Sequence, residues 1–453
     1  MAQDIFGSET SLGPGRALEA WNATQRAFLA HDARTPEHLG AVLRESPEFA
    51  MAHAIKGLFL VLLGRRALLT DATAAHDLAR ALARDAGATR RERRYIAALG
   101  HYLAGYPARA IAEMEAVLDT HPQDALAMKL SHAIRFVLGD AAGMLASVER
   151  VLPSYDVSHP ARGYAMGCLS FALEETGAYS HAIIAGHGAL ALAPDDAWGL
   201  HAVTHVHDMT AQSRKGLGWL DAHENAWAHC NNFRFHVWWH KALLHLDLRE
   251  VETVFDLYDH KIRSEKTDDY RDISNATSLL MRLELEGVCV GDRWDELADL
   301  AETHTDDGSL VFADLHYLMP LLQTGRRAAS VALADTAQAR ASDAGDIARG
   351  YATPGCAAIS GLCAFAEGDH RTAFDGLLTA WPHMSRAGGS HAQRDVFERI
   401  TIDAGIRAGQ IDDAERVLRA RTNRRGGAED TYASARFAMI AAARGAAAQP
   451  PAA

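Results

Sequence analysis

The sequence predicts an all-α protein built as an α-solenoid, in which antiparallel helix pairs stack into a superhelix that can curl around a central groove or pocket. Three observations support this prediction: a period of about 34 to 36 residues, glycines between amphipathic stretches, and the lack of any sustained alternation of apolar and polar residues. Apolar residues recur every three or four positions instead, which is the spacing of one helix face. We therefore expect helices throughout, since no strand pattern is long enough to compete.

The period is clearest where a glycine and an alanine recur five residues apart. Gly105 and Ala110 are followed 72 residues later, at twice 36, by Gly177 and Ala182. A glycine can end one helix in a left-handed conformation, and a small alanine lets the next helix pack closely against the first. A single helix pair cannot bury its own apolar face, so neighbouring pairs must stack. Further glycines at this step of the repeat are Gly139, Gly368 and Gly409.

The repeat extends over most of the chain and predicts one domain. We expect a single helical array over residues 1–445, with the clearest repeats at 91–260 and more degenerate helix pairs at 270–442. The Ala- and Pro-rich end, 446–453, is predicted to be a disordered tail. No internal segment has the Pro, Gly or Ser content of a linker, which favours one array over separate domains.

Composition limits the classes of partner. The chain is 48% apolar and 23% charged, as an ordinary globular protein is, so it can bury a large core. Its net charge of −13 disfavours non-specific nucleic-acid binding, which needs a basic surface, and implies no attraction to an anionic membrane. We therefore expect no nucleic-acid and no membrane partner, and the composition leaves the oligomeric state open.

The compartment is predicted from the N-terminus and the cysteines. The first residues lack the basic start and apolar run of a secretory signal. No apolar run near the start approaches the ~20 residues that cross a bilayer. The five cysteines form no C-x-x-C pair, and their number is odd. A reduced, cytoplasmic protein without structural disulfides is the simplest interpretation.

Histidine is locally concentrated, since eight of the 24 histidines lie within one stretch of 45 residues. His201 and His205 are four residues apart, which places both imidazoles on one helix face, a turn apart. His236 and His240 have the same spacing. The two pairs are 35 residues apart, close to the repeat period, so equivalent positions on adjacent helices are occupied. Asp208 continues the first pair at i+7.

Three interpretations of these four histidines remain open. Two imidazole pairs and a carboxylate resemble zinc or non-haem iron ligation, so the four can bind a divalent transition metal. They can instead supply titratable donors and acceptors for an organic anion or a peptide. They can also be packing histidines, hydrogen-bonded between helices and without a further role. Zinc-protease chemistry is disfavoured, because Ala202 and Val237 stand where the H-E-x-x-H pattern requires glutamate. No other cofactor is indicated.

Polar residues within apolar segments are further candidates. Arg282 interrupts an apolar run, and a charge there must reach solvent or a partner to avoid a burial cost of several kcal/mol. Asp314 and His316 lie in an apolar helix predicted over residues 311–322 and interrupted by Pro320. These side chains can line a ligand site if the helices that hold them face a groove.

The segment Gly388–Asp395 has the most specific pattern. Two glycines precede Ser390 and Gln393, which match the capping box at the start of a helix. His391 and Arg394 follow within the first turn. Because first-turn amides are unpaired and the dipole is positive there, this helix start can receive an anion. A tight turn between two helices is the alternative interpretation.

One repeat, Gly177-x-Tyr179-x-x-Ala182 with Pro194 at its end, is similar to the tetratricopeptide repeat, whose period is about 34 residues. Longer motifs are Asp4–Gly7, Ala88–Glu92, Trp198–Leu220, His236–Leu243, Tyr258–Asp259, Ser278–Gly287 and Gly388–Phe397. Through them the chain resembles the tetratricopeptide repeat protein 38 family over nearly its whole length. The resemblance implies an all-helical array with no firmly assigned reaction, and it implies that the polar residues within the motifs mark a site.

We expect an interaction module, a tetratricopeptide-repeat protein of this family that binds a protein, a peptide or a small anionic ligand in a concave, histidine-lined groove. The alternative is an enzyme, such as a metal-assisted hydrolase, in which a metal or a histidine base activates water and Arg282 or Arg394 holds an anionic substrate. The sequence does not decide whether the chain is an enzyme. The candidate groove residues are His201, His205, Asp208, His236, His240, Arg282, His316, His391 and Arg394.

Overall fold

The computed structural model describes residues 2–85 and 87–447, and the chain folds as two compact units. The first unit comprises residues 1–203, 220–237 and 343–349, and the second comprises 204–219, 238–342 and 350–453. The extended structure of the described residues is a hairpin of β1 (Ala2–Gln3) and β2 (Glu9–Thr10) and a bridge between Asp32 and Cys230. The remaining regular structure is helical.

Among the described residues, ten helices lie wholly in the first unit, and ten lie wholly in the second. Those of the first unit are α1 (Arg16–Leu29), α2 (Thr35–Glu45), α3 (Ala50–Leu62), α4 (Leu69–Asp85), α5 (Arg90–Leu103), α6 (Pro107–Leu118), α7 (Ala125–Leu138), α8 (Ala141–Val151), α9 (Arg162–Glu175) and α10 (Tyr179–Leu192). Four further helices contribute residues to both units: α11 (Ala197–Met209), α12 (Ser213–Ala222), α13 (Phe233–Asp247) and α19 (Asp346–Gly350).

The helices that lie wholly in the second unit include the three that line most of the ligand-sized cavity described below. The helices of this unit are α14 (Val251–Leu257), α15 (Tyr270–Leu285), α16 (Arg293–Glu302), α17 (Val311–Gln323), α18 (Arg327–Ala341), α20 (Cys356–Ala366), α21 (His370–Ala380), α22 (His391–Arg407), α23 (Ile411–Arg424) and α24 (Thr431–Ala447). Short 3-10 turns span Arg66–Leu68, Leu152–Ser154, Glu224–Ala226 and Trp381–Ala387, and π turns span Tyr258–Ile262 and Tyr351–Gly355.

The predicted glycine turns are confirmed. In the first unit Gly105, Gly139 and Gly177 lie between the helices of three successive pairs, with φ of 84°, 67° and 84°. In the second unit Gly368 and Gly409 take the same place with φ of 78° and 69°. Residues with a Cβ rarely adopt this left-handed conformation. The alanines five residues further on are all 0% exposed: Ala110, Ala182, Ala373 and Ala414. The period of the sequence is therefore the period of the helix pairs, and the all-α array is confirmed.

Each unit has a core of large apolar side chains. Full burial of one such side chain stabilises a fold by about 1.5–3 kcal/mol. The fully buried aromatic residues include Trp21, Tyr95, Tyr155 and Phe171 in the first unit and Trp239, Tyr317, Tyr351, Phe374 and Phe397 in the second.

Helix α17 corrects one expectation, because it continues through Pro320 to Gln323. Proline lacks the N–H that would bond to the carbonyl of His316, at a typical cost of about 3 kcal/mol in a helix interior. The helix resumes at once, since the amide of Thr324 donates to the carbonyl of Pro320 at 3.1 Å. All of Val311 to Leu321 is buried, and α15 and α16 pack against this helix. Tertiary packing therefore outweighs the local cost of the proline.

The last helix ends at Ala447, so residues 446 and 447 of the predicted tail are helical. Residues 448–453, the rest of that tail, lie outside the described residues. Among the residues that the structure describes, no helix combines the length and the apolar character needed to cross a membrane.

Candidate ligand-binding site

His201 of α11 and His236 of α13 form a close pair in the first unit. Their Nε2 atoms lie 3.0 Å apart, and their ring centroids lie 4.9 Å apart. At this distance the N–H of one imidazole can donate to the lone pair of the other. The ring of His201, only 2% exposed, also contacts Phe171 and Trp198, with centroid separations of 5.6 and 5.1 Å. This pair is part of an aromatic cluster.

His205 and His240 form the equivalent pair in the second unit, one turn further along α11 and α13. Their ring centroids are 4.4 Å apart, and the two residues are 0% and 1% exposed. Trp239 contacts His240 at a centroid separation of 4.7 Å. The 35-residue register thus produces two ring-to-ring pairs. His236 is half-buried. The other three residues are buried, so their rings are not accessible to an extended peptide.

A cavity of about 410 Å³ lies wholly within the second unit, and we call it the arginine cavity. Its volume is within the range of ~300–1,000 Å³ that accommodates a small organic molecule. Two of the predicted candidates, His391 and Arg394, line it. The charged residues of its lining are Arg394, Arg421, Arg424, Arg425, Asp395 and Glu398.

The start of α22 positions His391 and Arg394 beside this cavity. The predicted capping box is confirmed: Ser390 Oγ accepts from the amide of Gln393 at 3.3 Å, and Gln393 Oε1 accepts from the amide of Ser390 at 2.9 Å. Two otherwise unpaired donors are thereby satisfied, so the first turn is fixed. His391 and Arg394 are both half-buried there.

Two glycines bring the chain into α22 through a tight turn. Gly389 has φ of 75°, and a Cβ at this position would lie 2.6 Å from the ring of Phe312, so only glycine is accommodated without a shift. Arg394 Nη1 donates to the carbonyl of Gly388 at 3.2 Å and also to that of Gly389. The side chain of Arg394 therefore closes the turn that precedes its own helix.

Arg421 of α23 is buried between two aspartates. Its Nε donates to Asp395 Oδ1 at 2.5 Å, and its Nη2 donates to Asp430 Oδ2 at 2.6 Å. Arg399 also contacts both carboxylates, at 2.7 Å and 3.5 Å. Burial would by itself raise the pKa of Asp395, but the charges of Arg421 and Arg399 hold that pKa well below its usual range. The wall of the cavity is therefore a buried network of ionised groups.

Arg425 has donors that the protein satisfies poorly, although it is only 3% exposed. Its Nη2 donates to Asp208 Oδ1 at 3.0 Å and lies 3.5 Å from Asp430 Oδ2. Its Nη1 faces the sulfur of Met209 at 3.4 Å, and thioether sulfur is a weak acceptor. Its buried Nε has no hydrogen-bond partner within the described part of the chain. A buried cation with spare donors at a cavity wall favours an anionic ligand.

Arg282 and Asp208 line a second, smaller cavity of the second unit, of about 70 Å³. Arg282 is 1% exposed, and its Nη2 donates to the carbonyl of Ala392 at 2.6 Å and lies 3.8 Å from Asp395. Burial lowers the pKa of Arg282 to about 9. A cavity of this size accommodates a few waters. The contact with Ala392 indicates that Arg282 positions the first turn of α22.

The other two candidates are buried in α17 and line neither of these two cavities. His316 Nδ1 donates to the carbonyl of Phe312 at 2.7 Å, and burial lowers the pKa of His316 to about 3, so the ring is neutral. Asp314 Oδ2 accepts from the hydroxyl of Tyr351 at 2.6 Å, and burial raises the pKa of Asp314 to about 7. These side chains pack within the core of the second unit.

Between pH 5 and pH 8, the free energy of unfolding should fall by about 2–3 kcal/mol more in the wild type than in Asp314→Asn. The pKa of Asp314 is about 7 in the folded chain, against about 3.9 in an unfolded chain. Above about pH 4 the unfolded chain releases a proton that the folded chain retains, so stability is lost as the pH rises until the folded group also ionises. Urea titrations at the two pH values measure the difference, and an identical pH dependence in both proteins would contradict it.

The sequence alone does not single out Arg421, Arg424, Arg425 or Trp381 as site residues. The available signal is the arginine-rich stretch 419–425, which ends α23 and includes the residue after it. That signal is weak because arginine is common throughout this chain, which has only 6 lysines among its 45 basic residues. The cavity becomes visible only when α21, α22 and α23 are placed together.

By its fold, the chain is a tetratricopeptide-like helical-repeat protein, and its second unit holds a ligand-sized cavity lined by arginine. No family model matches the chain. Among solved structures it is similar to the human IFIT1 dimer with PPP-AAAA, at 13% sequence identity over 97% of this chain and 96% of that one, with a TM-score of 0.43. It is also similar to Naa15/Naa10 bound to HypK-THB, at 12% identity over 94% of this chain and 66% of that one, with a TM-score of 0.26. Likenesses this distant say nothing about the ligand of this chain.

Proposed function

We propose that this helical-repeat protein, which resembles the tetratricopeptide repeat protein 38 family, is a binding protein with a site for a small organic anion in the arginine cavity. The observation that supports the proposal most strongly is the lining of that cavity, where four arginines stand against two carboxylates. Arginine presents a planar fork of donors that matches carboxylate and phosphate groups. A cavity lined in this way favours an anion over a neutral or cationic ligand.

Apolar side chains in the same cavity favour an organic anion over an inorganic one. Trp381, Met384 and Phe397 contribute to the lining. Trp381 Nε1 donates to Glu398 Oε1 at 2.6 Å, which holds the indole in one orientation. Aromatic and thioether side chains pack well against an apolar or aromatic group. The ligand is thus expected to combine an anionic end with an apolar body.

Titration calorimetry with phenyl phosphate and benzoate tests this function. We expect saturable binding to the wild type and binding weaker by at least about tenfold to Ser385→Trp, because an indole at this exposed, cavity-lining position occupies the space of the ligand. Ser385→Ala is the matched control and should bind as the wild type does. If neither ligand binds saturably at millimolar concentration, the proposed function is wrong.

A metal-binding function is the second candidate, and the two histidine pairs favour it. Each pair offers two imidazoles, which are ligands that zinc, copper and iron accept. The proposed ligands are His201, His205, His236 and His240. Elemental analysis of purified protein, before and after treatment with a chelator, separates the outcomes. Roughly one equivalent of a transition metal would support this candidate, and a content near zero for every transition metal would exclude it.

Other expectations about partners and location stay predictions. Binding of a protein or peptide by the histidines is the weaker form of the proposal, because three of the four rings are buried. The expectation that the chain binds no nucleic acid rests on its net charge alone. A cytoplasmic location likewise rests on the sequence alone.

A further inference from the structure

We propose that the ligand of the arginine cavity is a dianion, specifically a phosphate monoester that carries an apolar or aromatic group. This inference rests on the proposed function and deepens it, because it specifies the charge and the geometry of the anionic group. Three observations support it: the balance of charge in the lining, the spare donors of Arg425, and the apolar residues of the same cavity.

The charge of the lining matches a dianion. With the groups that pair with the lining included, six guanidinium groups stand against four carboxylates, so a monoanion would leave one positive charge uncompensated and a dianion would balance the network. The arginines are Arg282, Arg394, Arg399, Arg421, Arg424 and Arg425, and the carboxylates are Asp208, Asp395, Glu398 and Asp430. Uncompensated charge in a partly buried site is costly, which makes the balanced complex the more stable one. All the titratable and charged groups of the lining belong to α22, the end of α23 and the residue that follows α23. They are His391, Arg394, Asp395, Glu398, Arg421, Arg424 and Arg425.

The spare donors favour a group with several acceptor oxygens. Arg421 already directs donors to both Asp395 and Asp430, so it contributes charge more than hydrogen bonds. Arg425 differs, because its Nε has no partner in the described residues and its Nη1 faces only the sulfur of Met209. A phosphate monoester has three terminal oxygens and can accept from more than one arginine at once, whereas a carboxylate has two. Phosphate therefore uses more of the available donors.

The apolar part of the lining requires that the phosphate be esterified. Leu377, Met384 and Phe397 line the cavity together with the charged groups. Inorganic phosphate would leave this surface in contact with water, and burying apolar surface against the ligand contributes roughly 25 cal/mol per Å². Phenyl phosphate is the simplest probe that presents both parts. We expect it to bind more tightly than inorganic phosphate.

The test compares phenyl phosphate with benzenesulfonate by titration calorimetry of the full chain at pH 5 and pH 7.5. The second pKa of a phosphate monoester is near 6, so the dianion rises from about a tenth of the ligand to nearly all of it, and its apparent affinity should rise roughly tenfold. Benzenesulfonate has the same ring and one negative charge at both pH values. It serves as the control, because a pH-dependent change in the cavity itself would alter the binding of both ligands.

At pH 7.5 we expect phenyl phosphate to bind roughly tenfold more tightly than benzenesulfonate, and Ser385→Trp to abolish that preference. Equal affinity of the two ligands would overturn the dianion while leaving an organic-anion site in place. A preference that survives unchanged in Ser385→Trp would also overturn the inference, because the dianion would then bind elsewhere. Failure of both ligands to bind would overturn the proposed function itself.

Discussion

Arg421→Gln should lower the free energy of unfolding by about 3–5 kcal/mol. Arg421 is 2% exposed and donates to Asp395 and Asp430, which are 8% and 3% exposed. Glutamine removes the charge and cannot reproduce the two pairs of hydrogen bonds, so two buried carboxylates lose their main counter-charge. Breaking a buried ion pair by removing one partner is strongly destabilising for this reason. Urea or guanidinium denaturation at neutral pH measures the change.

Arg416→Gln is the matched control on the same helix. Arg416 lies 2.9 Å from Asp413, but the two side chains are 55% and 50% exposed. Exposed pairs of this kind contribute about 0–1 kcal/mol, because water screens the charges and the long side chains lose rotamer freedom. A loss of similar size in both variants would contradict the structural role of the buried network. A small loss in both would show that the network does not stabilise the second unit.

Arg425→Gln should weaken the binding of phenyl phosphate by roughly tenfold to a hundredfold, because a hydrogen bond to a charged group contributes about 1.5–3 kcal/mol. The variant removes the side chain whose Nε and Nη1 are available to the ligand. It also removes a partner of Asp208, so its stability is measured beside its affinity. Calorimetry at a temperature where the variant is folded separates the two effects.

Two further variants complete this test, one as a matched control and one as a substitute if Arg425→Gln does not fold. Arg419→Gln, in the last turns of α23, removes a side chain that is 65% exposed and pairs with Glu415, and it should bind phenyl phosphate as the wild type does. If Arg425→Gln does not fold, Arg424→Gln replaces it, since Arg424 lines the cavity and is 41% exposed. Wild-type affinity in the folded Arg425 or Arg424 variant would contradict the arginine cavity as the anion site.

The repeat could be predicted from sequence because its signals are local. Gly177 and Ala182 are five residues apart and act on two consecutive helices, so their effect on the turn and on the close packing that follows does not depend on distant parts of the chain. The capping pair Ser390 and Gln393 is similarly local, and the structure has both of its hydrogen bonds. The predicted interruption of the helix at Pro320 was wrong, because the tertiary packing of α17 outweighs the tendency of proline to break a helix.

The arginine cavity could not be predicted in the same way, because its contacts join distant residues. Arg421 and Asp395 are 26 residues apart in sequence, and Arg425 and Asp208 are 217 apart. No local period connects such pairs. The sequence found His391 and Arg394, which lie beside a recognisable helix start. It did not find Arg421 and Arg424 of α23 or Arg425 just after that helix, which complete the lining.

For the histidines, the spacing in the sequence predicts which rings pair, but it does not predict whether those rings are buried. Register alone pairs His201 with His236 and His205 with His240, and the structure shows both pairs in ring contact. Burial is decided by neighbours such as Trp198 and Trp239, which the spacing of the histidines cannot reveal. The spacing alone therefore could not show whether these rings are exposed to a groove.

The most direct test of the arginine cavity as an organic-anion site is a crystal structure of the full chain with phenyl phosphate. The account predicts phosphate oxygens within about 3 Å of the guanidinium nitrogens of Arg425 and Arg394, and the phenyl ring beside Trp381. A well-ordered ligand bound at the histidine pairs or elsewhere on the surface, with the arginine cavity holding only water, would contradict it.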